Sequence, residues 1–196
     1  MPKFKLFEHS TPIFKSMNIV VYRTRKSFDY KVDPFAPSSF ENNWKNNRQD
    51  WLVIKDDKAE IFRCRCQSVA NYCFGKGATA DTVSYGDTIY PGRFFLKCFV
   101  DPRDFFGEIH AITKTTDYDG QLIDRHAMQT TKDGYQNGRW LLHSMYSKKL
   151  GDDTTYAWSS GCIITSSADL KAFNTVLHAY KIQPGETIEG EIIEDF

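Results

Sequence analysis

No run of about 18 apolar residues occurs in this 196-residue sequence, so a membrane-spanning helix is excluded. Lys3, Lys5, Glu8, His9 and Lys15 interrupt Met1 to Met17, and no apolar core of a secretory signal is expected there. Neither sign of charge prevails: 25 basic residues stand against 25 acidic ones, so no overall field draws the chain to nucleic acid or to an anionic surface. A partner must be recognised by a local site. The five cysteines, Cys64, Cys66, Cys73, Cys98 and Cys162, are odd in number and cannot all pair within one chain, which argues against a disulfide framework. The run from Cys64 to Cys73 lacks the paired C-x2-C units and distant His or Cys partners of zinc sites, and Asp152-Asp153 has no partner at metal spacing. Neither a metal nor a cofactor is therefore expected. No internal repeat or low-complexity tract is present.

What remains is a folded, aromatic-rich, strand-leaning chain: 41% of residues are apolar and 15% aromatic, more than a disordered segment carries. Asn18 to Arg25 is β-branched and aromatic and reads as a strand. From 33 to 49, two prolines, two serines and several asparagines mark a long connection, so residues 1–49 read as an extension or extra strand with linker, and 50–196 as the main domain. Trp51 to Ile54 and Ala59 to Val69 flank the polar Asp56-Asp57 turn as a hairpin, with Cys64 and Cys66 on one strand face. Phe94 to Val100, Glu108 to Thr116 and Trp140 to His143 read as further strands, the last two separated by a polar loop. Ser166 and Asp169 form an N-terminal capping signal for a helix carrying Leu170, Phe173, Val176, Leu177 and Tyr180 at helical spacing. That helix stops before Pro184-Gly185, and Thr187 to Ile193 alternates as a closing strand.

Chemistry concentrates between Trp140 and Leu177, in WLLHS, a polar loop, and SSGCIITSSADL. A thiol needs a nearby base to become a nucleophilic thiolate, and a strand-borne His143 facing Cys162 on a tight turn supplies one. Gly161, lacking a Cβ, permits that turn. Taken singly, Cys162 fits buried packing and His143 fits a satisfied core position equally well. Their order and spacing add information. Fifteen residues separate His143 from Ser159-Ser160-Gly161-Cys162. This resembles the signature of the L,D-transpeptidases, or YkuD-type domains: a His, about fourteen to seventeen residues, then Ser/Thr-x-Gly-Cys. His143-Ser144, the hairpin WLVIKDDKAEIFRCRCQSV, the segment YPGRFFLKCFV and the closing GETIEGEII extend the resemblance over Asp50 to Ile193.

The resemblance implies a mostly β (α+β), mixed-sheet sandwich or barrel with one helix after the nucleophile. It implies acyl transfer on peptidoglycan stem peptides at the cell wall or periplasm, with Cys162 forming a thioester and His143 taking the thiol proton. Ser160, Gly161 and the Cys162 amide would serve the catalytic turn and its oxyanion pocket. Ser144, Ser159, Tyr146, Trp158 and Arg139 are the expected substrate contacts, the aromatic pair as walls and Arg139 as a carboxylate clamp. Two positions depart from the family pattern: Ser160 stands where many members carry His, and Ile164 where many carry Arg or Asn. The rival class is a non-catalytic wall-binding or structural module that keeps the fold. Sortase-like and caspase-like enzymes fit less well, because no Arg follows Cys162 and the Q-A-C setting is missing. His110 and His126 are further candidates to line a cleft, whereas His178, on the helix, reads as structural or exposed.

Overall fold

The computed structural model describes residues 17–29, 49–70, 88–103, 107–117, 119–124, 140–144, 159 and 161–195. Its strands are β1 (Met17–Thr24), β2 (Asp50–Asp56), β3 (Ala59–Cys66), β4 (Gly92–Arg103), β5 (Gly107–Thr116), β6 (Leu122–Asp124), β7 (Trp140–Ser144), β8 (Ile163–Thr165) and β9 (Thr187–Asp195). The helices are the four-residue α1 (Lys26–Asp29) and the long α2 (Ser167–Ala179). All nine strands join one mixed sheet in the order β3-β2-β1-β9-β4-β5-β7-β8, with β6 also on β5. The pairs β1–β9 and β7–β8 are parallel and the others antiparallel. Just past β3, Gln67 bridges Ile164 of β8 through reciprocal backbone hydrogen bonds of 2.8 and 2.9 Å, bringing the two ends of the sheet together. The fold is therefore mostly β, a nearly closed barrel-like sheet with one long helix.

Strand alternation sends one set of side chains into a common interior. Ile19 and Val21, Leu52 and Ile54, Cys64 and Cys66, Phe94 and Leu96, Ile112, Leu142, Ile163, Ile188 and Ile192 meet there, joined by Leu170, Phe173 and Leu177 of α2. As its sequence indicates, α2 begins with a cap: the Ser166 hydroxyl accepts from the Asp169 amide at 3.0 Å and donates to the Asp169 carboxylate at 2.7 Å. Cys64 and Cys66 do share the inward face, as alternation predicts. Beyond Val21, the same face of β1 carries Arg23, whose guanidinium is buried. It donates to Ser68 Oγ (3.0 Å), Ser68 O (3.0 Å) and Ile89 O (2.9 Å), and pairs with Glu194 at 3.0 Å. Asp50, buried nearby, accepts from Thr24 N (2.8 Å), the Ser27 hydroxyl, Ser68 N (3.1 Å) and Ser68 Oγ (2.6 Å).

The extra strand expected within residues 1–49 is present as β1, and it lies between β2 and β9, an interior position of the sheet. β6 and β8 are three residues each, too short for a periodicity to show in sequence.

Gly190 of β9 lies directly across from Phe94 of β4. A Cβ there would approach Phe94 Cζ to 2.3 Å, so the ring occupies the space that a side chain would need. Gly190→Ala is expected to destabilise the fold by about 1–3 kcal/mol through overpacking. Chemical denaturation reads this as a lowered midpoint, and an unchanged midpoint would show that the ring yields freely.

Candidate active site

Every residue of β7 and β8 is buried, as befits a parallel strand pair covered on both faces. On β7, Trp140 and Leu142 point into the interior, so Leu141 and His143 occupy the opposite face. On β8, Ile163 points inward and Ile164 outward. Cys162, immediately before β8, is partly buried against Ile109, Ala111 and Leu141, a cluster outside the main core. Cys162 and His143 therefore share one face of adjacent parallel strands.

The register specifies their relation. Leu142 pairs with Ile163 and His143 with Ile164, which leaves Cys162 one strand over and two residues back from His143. Sheet spacing puts such diagonal neighbours about 8 Å apart at Cα, within reach of an imidazole and a thiol. His143 Nδ1 lies 2.7 Å from the Ser144 carbonyl oxygen. A carbonyl only accepts, so Nδ1 carries the proton and donates, and Nε2 carries the lone pair of the neutral ring. The tautomer is the one that a proton-accepting Nε2 requires.

The turn before β8 is held from within. Gly161 has φ +137°, in the region that favours glycine. Its N–H donates to Ser159 Oγ at 2.9 Å, and the same hydroxyl donates to the Cys162 carbonyl at 2.7 Å. Ser159 is buried and acts here as a staple across the turn, although the resemblance makes it a substrate contact. The Gly161 amide, expected to serve an oxyanion pocket, is likewise engaged in holding the turn. Ser144, another expected substrate contact, is buried and offers its backbone carbonyl to His143. Ser160, Tyr146, Trp158, Arg139, His126 and Cys73 lie outside the described residues.

The other described histidines, His110 and His178, do not join this face. His110 on β5 pairs with Leu142 and points inward, where its ring meets Phe173 edge-on at 5.3 Å. Its Nδ1 accepts from the Phe99 amide (3.3 Å) and its Nε2–H donates to Asn174 Oδ1 (2.7 Å), so both ring nitrogens are occupied in the neutral form. His178 is exposed, stacks on Phe99 and pairs with Glu108 at 3.2 Å. Among the described residues, no three His, Cys, Asp or Glu side chains gather as metal ligands, and no helix is long and apolar enough to cross a membrane. Gln67, which sequence reading does not single out, is a neighbour of the site: through its bridge to Ile164 it shares the outward face. Nothing in the sequence near Gln67 announces this, because the bridge joins positions far apart in the chain.

The thiols differ in setting. Burial, with the nearby Asp50 charge adding to it, pushes the Cys66 thiol well above its usual range, and burial with Glu186 pushes Cys98 up to about 12. Cys64 is also buried, whereas Cys162 is only partly so. Iodoacetamide followed by peptide mass spectrometry is therefore expected to label Cys162 ahead of Cys64, Cys66 and Cys98. Equal labelling of the four would contradict this arrangement.

Burial lowers His110 to about 4, the Asn174 bond opposing the shift and His178 adding to it. The unfolded chain binds that proton more readily, so His110 contributes stability above its ordinary value near 6.5 that is lost as pH falls toward 4. The loss is on the order of 3 kcal/mol. Denaturation midpoints of wild type and His110→Asn between pH 7 and pH 4 check this: the wild type should lose more stability than the variant.

No family model matches the chain. It is 46% identical over 186 residues, spanning 94% of this chain and 83% of the relative, to an uncharacterized protein of Treponema pallidum (strain Nichols). The match covers nearly the whole chain, so the β7–β8 segment lies within it. At that identity and coverage, the chain belongs to the family of this Treponema pallidum protein.

Proposed function

We propose that the protein is a cysteine-dependent acyltransferase or peptidase acting on peptidoglycan stem peptides, of the L,D-transpeptidase kind. The observation that carries the reading is the shared sheet face of His143 and Cys162, with the His143 tautomer fixed by the Ser144 carbonyl. A buried packing cysteine needs no such neighbour. The His–x15–Ser-x-Gly-Cys spacing adds the substrate class by resemblance.

In this mechanism Nε2 of His143 takes the Cys162 thiol proton, and the thiolate attacks a stem-peptide carbonyl carbon. The protonated imidazole then returns the proton to the leaving amine as the C–N bond breaks, leaving a thioester on Cys162. Throughout, the Nδ1–H bond to the Ser144 carbonyl holds the ring and stabilises its charged form. An incoming amine or water, deprotonated by Nε2, attacks the thioester and releases the Cys162 thiolate, which recovers its proton from the imidazolium. The resemblance gives the oxyanion to the Gly161 and Cys162 amides; in this chain the Gly161 amide is engaged with Ser159 in holding the turn.

Mass spectrometry of the intact protein after incubation with a muropeptide tetrapeptide or a carbapenem tests the reading. A covalent adduct is expected on wild type and none on Cys162→Ala, with His143→Ala forming it at least about a hundredfold more slowly. Absence of any adduct on folded wild type would favour the non-catalytic wall-binding module instead.

A further inference from the structure

Gln67 is fully buried, yet its side-chain oxygen has no hydrogen-bond partner among the described residues. The amide's orientation is set by chemistry: Nε2 donates to the Val69 carbonyl at 2.7 Å, which only accepts, so the group facing away is the oxygen. An unpaired acceptor sealed from water is an unfavourable feature that folding retains at this position.

Its location is set by register. Gln67 bridges Ile164, and Ile164 pairs with His143, so the three residues form a row across one sheet face. Cys66 points into the core, which confirms that Gln67 is turned toward the Cys162 and His143 side. The Gln67–Ile164 bridge is antiparallel, so the chain from Gln67 to Val69 runs back toward the Cys162 end of β8. The carboxamide reaches along that direction to Val69. Thus the unpaired oxygen lies on the flank of the nucleophile turn, across β8 from His143.

We propose that Gln67 is a specificity-determining residue of this site, its carboxamide oxygen accepting a hydrogen bond from a backbone N–H of the acyl-donor peptide. The inference rests on the thioester reading above. A peptide laid along β8 with its carbonyl at Cys162 presents amide N–H groups to the flanking strand, much as an added strand would. Pairing one of them with Gln67 forms the bond that folding leaves unmade, and a donor lacking that N–H leaves the acceptor unpaired in the complex. Gln67 thereby favours peptide donors over esters of the same shape.

The test compares Cys162 acylation of wild type and Gln67→Met by a tetrapeptide donor and by a series of its singly N-methylated forms. Iodoacetamide labelling of Cys162 and the melting temperature are measured alongside. In wild type, one methylation is expected to slow acylation about five- to tenfold at subsaturating peptide. Gln67→Met should be slowed by a similar factor with the parent peptide and be insensitive to that methylation. Its labelling of Cys162 should be unchanged. The substitution removes the unpaired acceptor and also the Nε2–H bond to the Val69 carbonyl, so the melting temperature serves to show that the variant is folded. Gln67→Leu serves should the methionine variant not fold. Equal sensitivity of wild type and variant to every methylation, or parent-peptide acylation left intact in the folded variant, would overturn the inference and leave the thioester reading standing. No acylation of wild type by any peptide, with Cys162 still labelled by iodoacetamide, would overturn both.

Discussion

The two backbone hydrogen bonds between Gln67 and Ile164 are the constraint on which the rest depends. Without them β3 and β8 are open edges, and β8, only three residues long, has a partner on one side alone. An open edge exposes unpaired amides and carbonyls and leaves the inward side chains partly wet. With the bridge made, β8 is paired on both sides, and the apolar faces of β1 to β5, β7, β8 and β9 enclose one interior. Closure through a single bridge is possible because residues 67–70 are fixed by other means. Ser68 accepts from Arg23 and donates to Asp50, so a buried cation and a buried anion hold the segment that reaches across to β8. Removing one member of such a network leaves the others desolvated and unpaired, which is far more costly than the bonds are individually stabilising.

The same closure builds the site. Cys162 is positioned by the strand that follows it, and that strand is positioned by β7 on one side and Gln67 on the other. The turn before β8 adds its own restraint through Ser159, whose hydroxyl spans Gly161 and Cys162. His143 is restrained by its neighbour's carbonyl, which fixes which nitrogen holds the proton. None of these restraints depends on a flexible side chain of the surface. Cys162 and His143 are thus both held on paired backbone rather than on loops.

Buried polar groups in this protein fall into two kinds. Arg23, Asp50, His110 and Asn174 donate to and accept from partners inside the fold, and their work is to join β1, β2, β4, β5 and α2. Gln67 is of the other kind, with its amide donating internally and its oxygen unmatched. The first kind stabilises, whereas Asn18 Oδ1, Thr24 Oγ1 and Ser167 Oγ share with the Gln67 oxygen the unmatched state among the described residues. Phe99 lies between these roles: its φ of 49° is unusual for a bulky residue, and that conformation goes with its amide donating to His110 and its ring stacking on His178.

The amino-acid sequence by itself determined the local elements. Alternation in Asp50–Asp56 and Ala59–Cys66, the Ser166–Asp169 cap, the helical spacing of Leu170, Phe173 and Leu177, and the closing β9 were legible because each depends on residues near one another in the chain. The candidacy of Cys162 and His143 was legible in the same way, from residue type and spacing. Tertiary structure alone decided that β1 lies inside the sheet, that β8 is a strand, that His110 faces the core, and that Ser159 staples the turn. It alone brought Gln67 beside β8. The physical reason is that strand pairing is a contact between distant residues: sequence periodicity says which face a side chain takes, and only the closed sheet says what lies across from it.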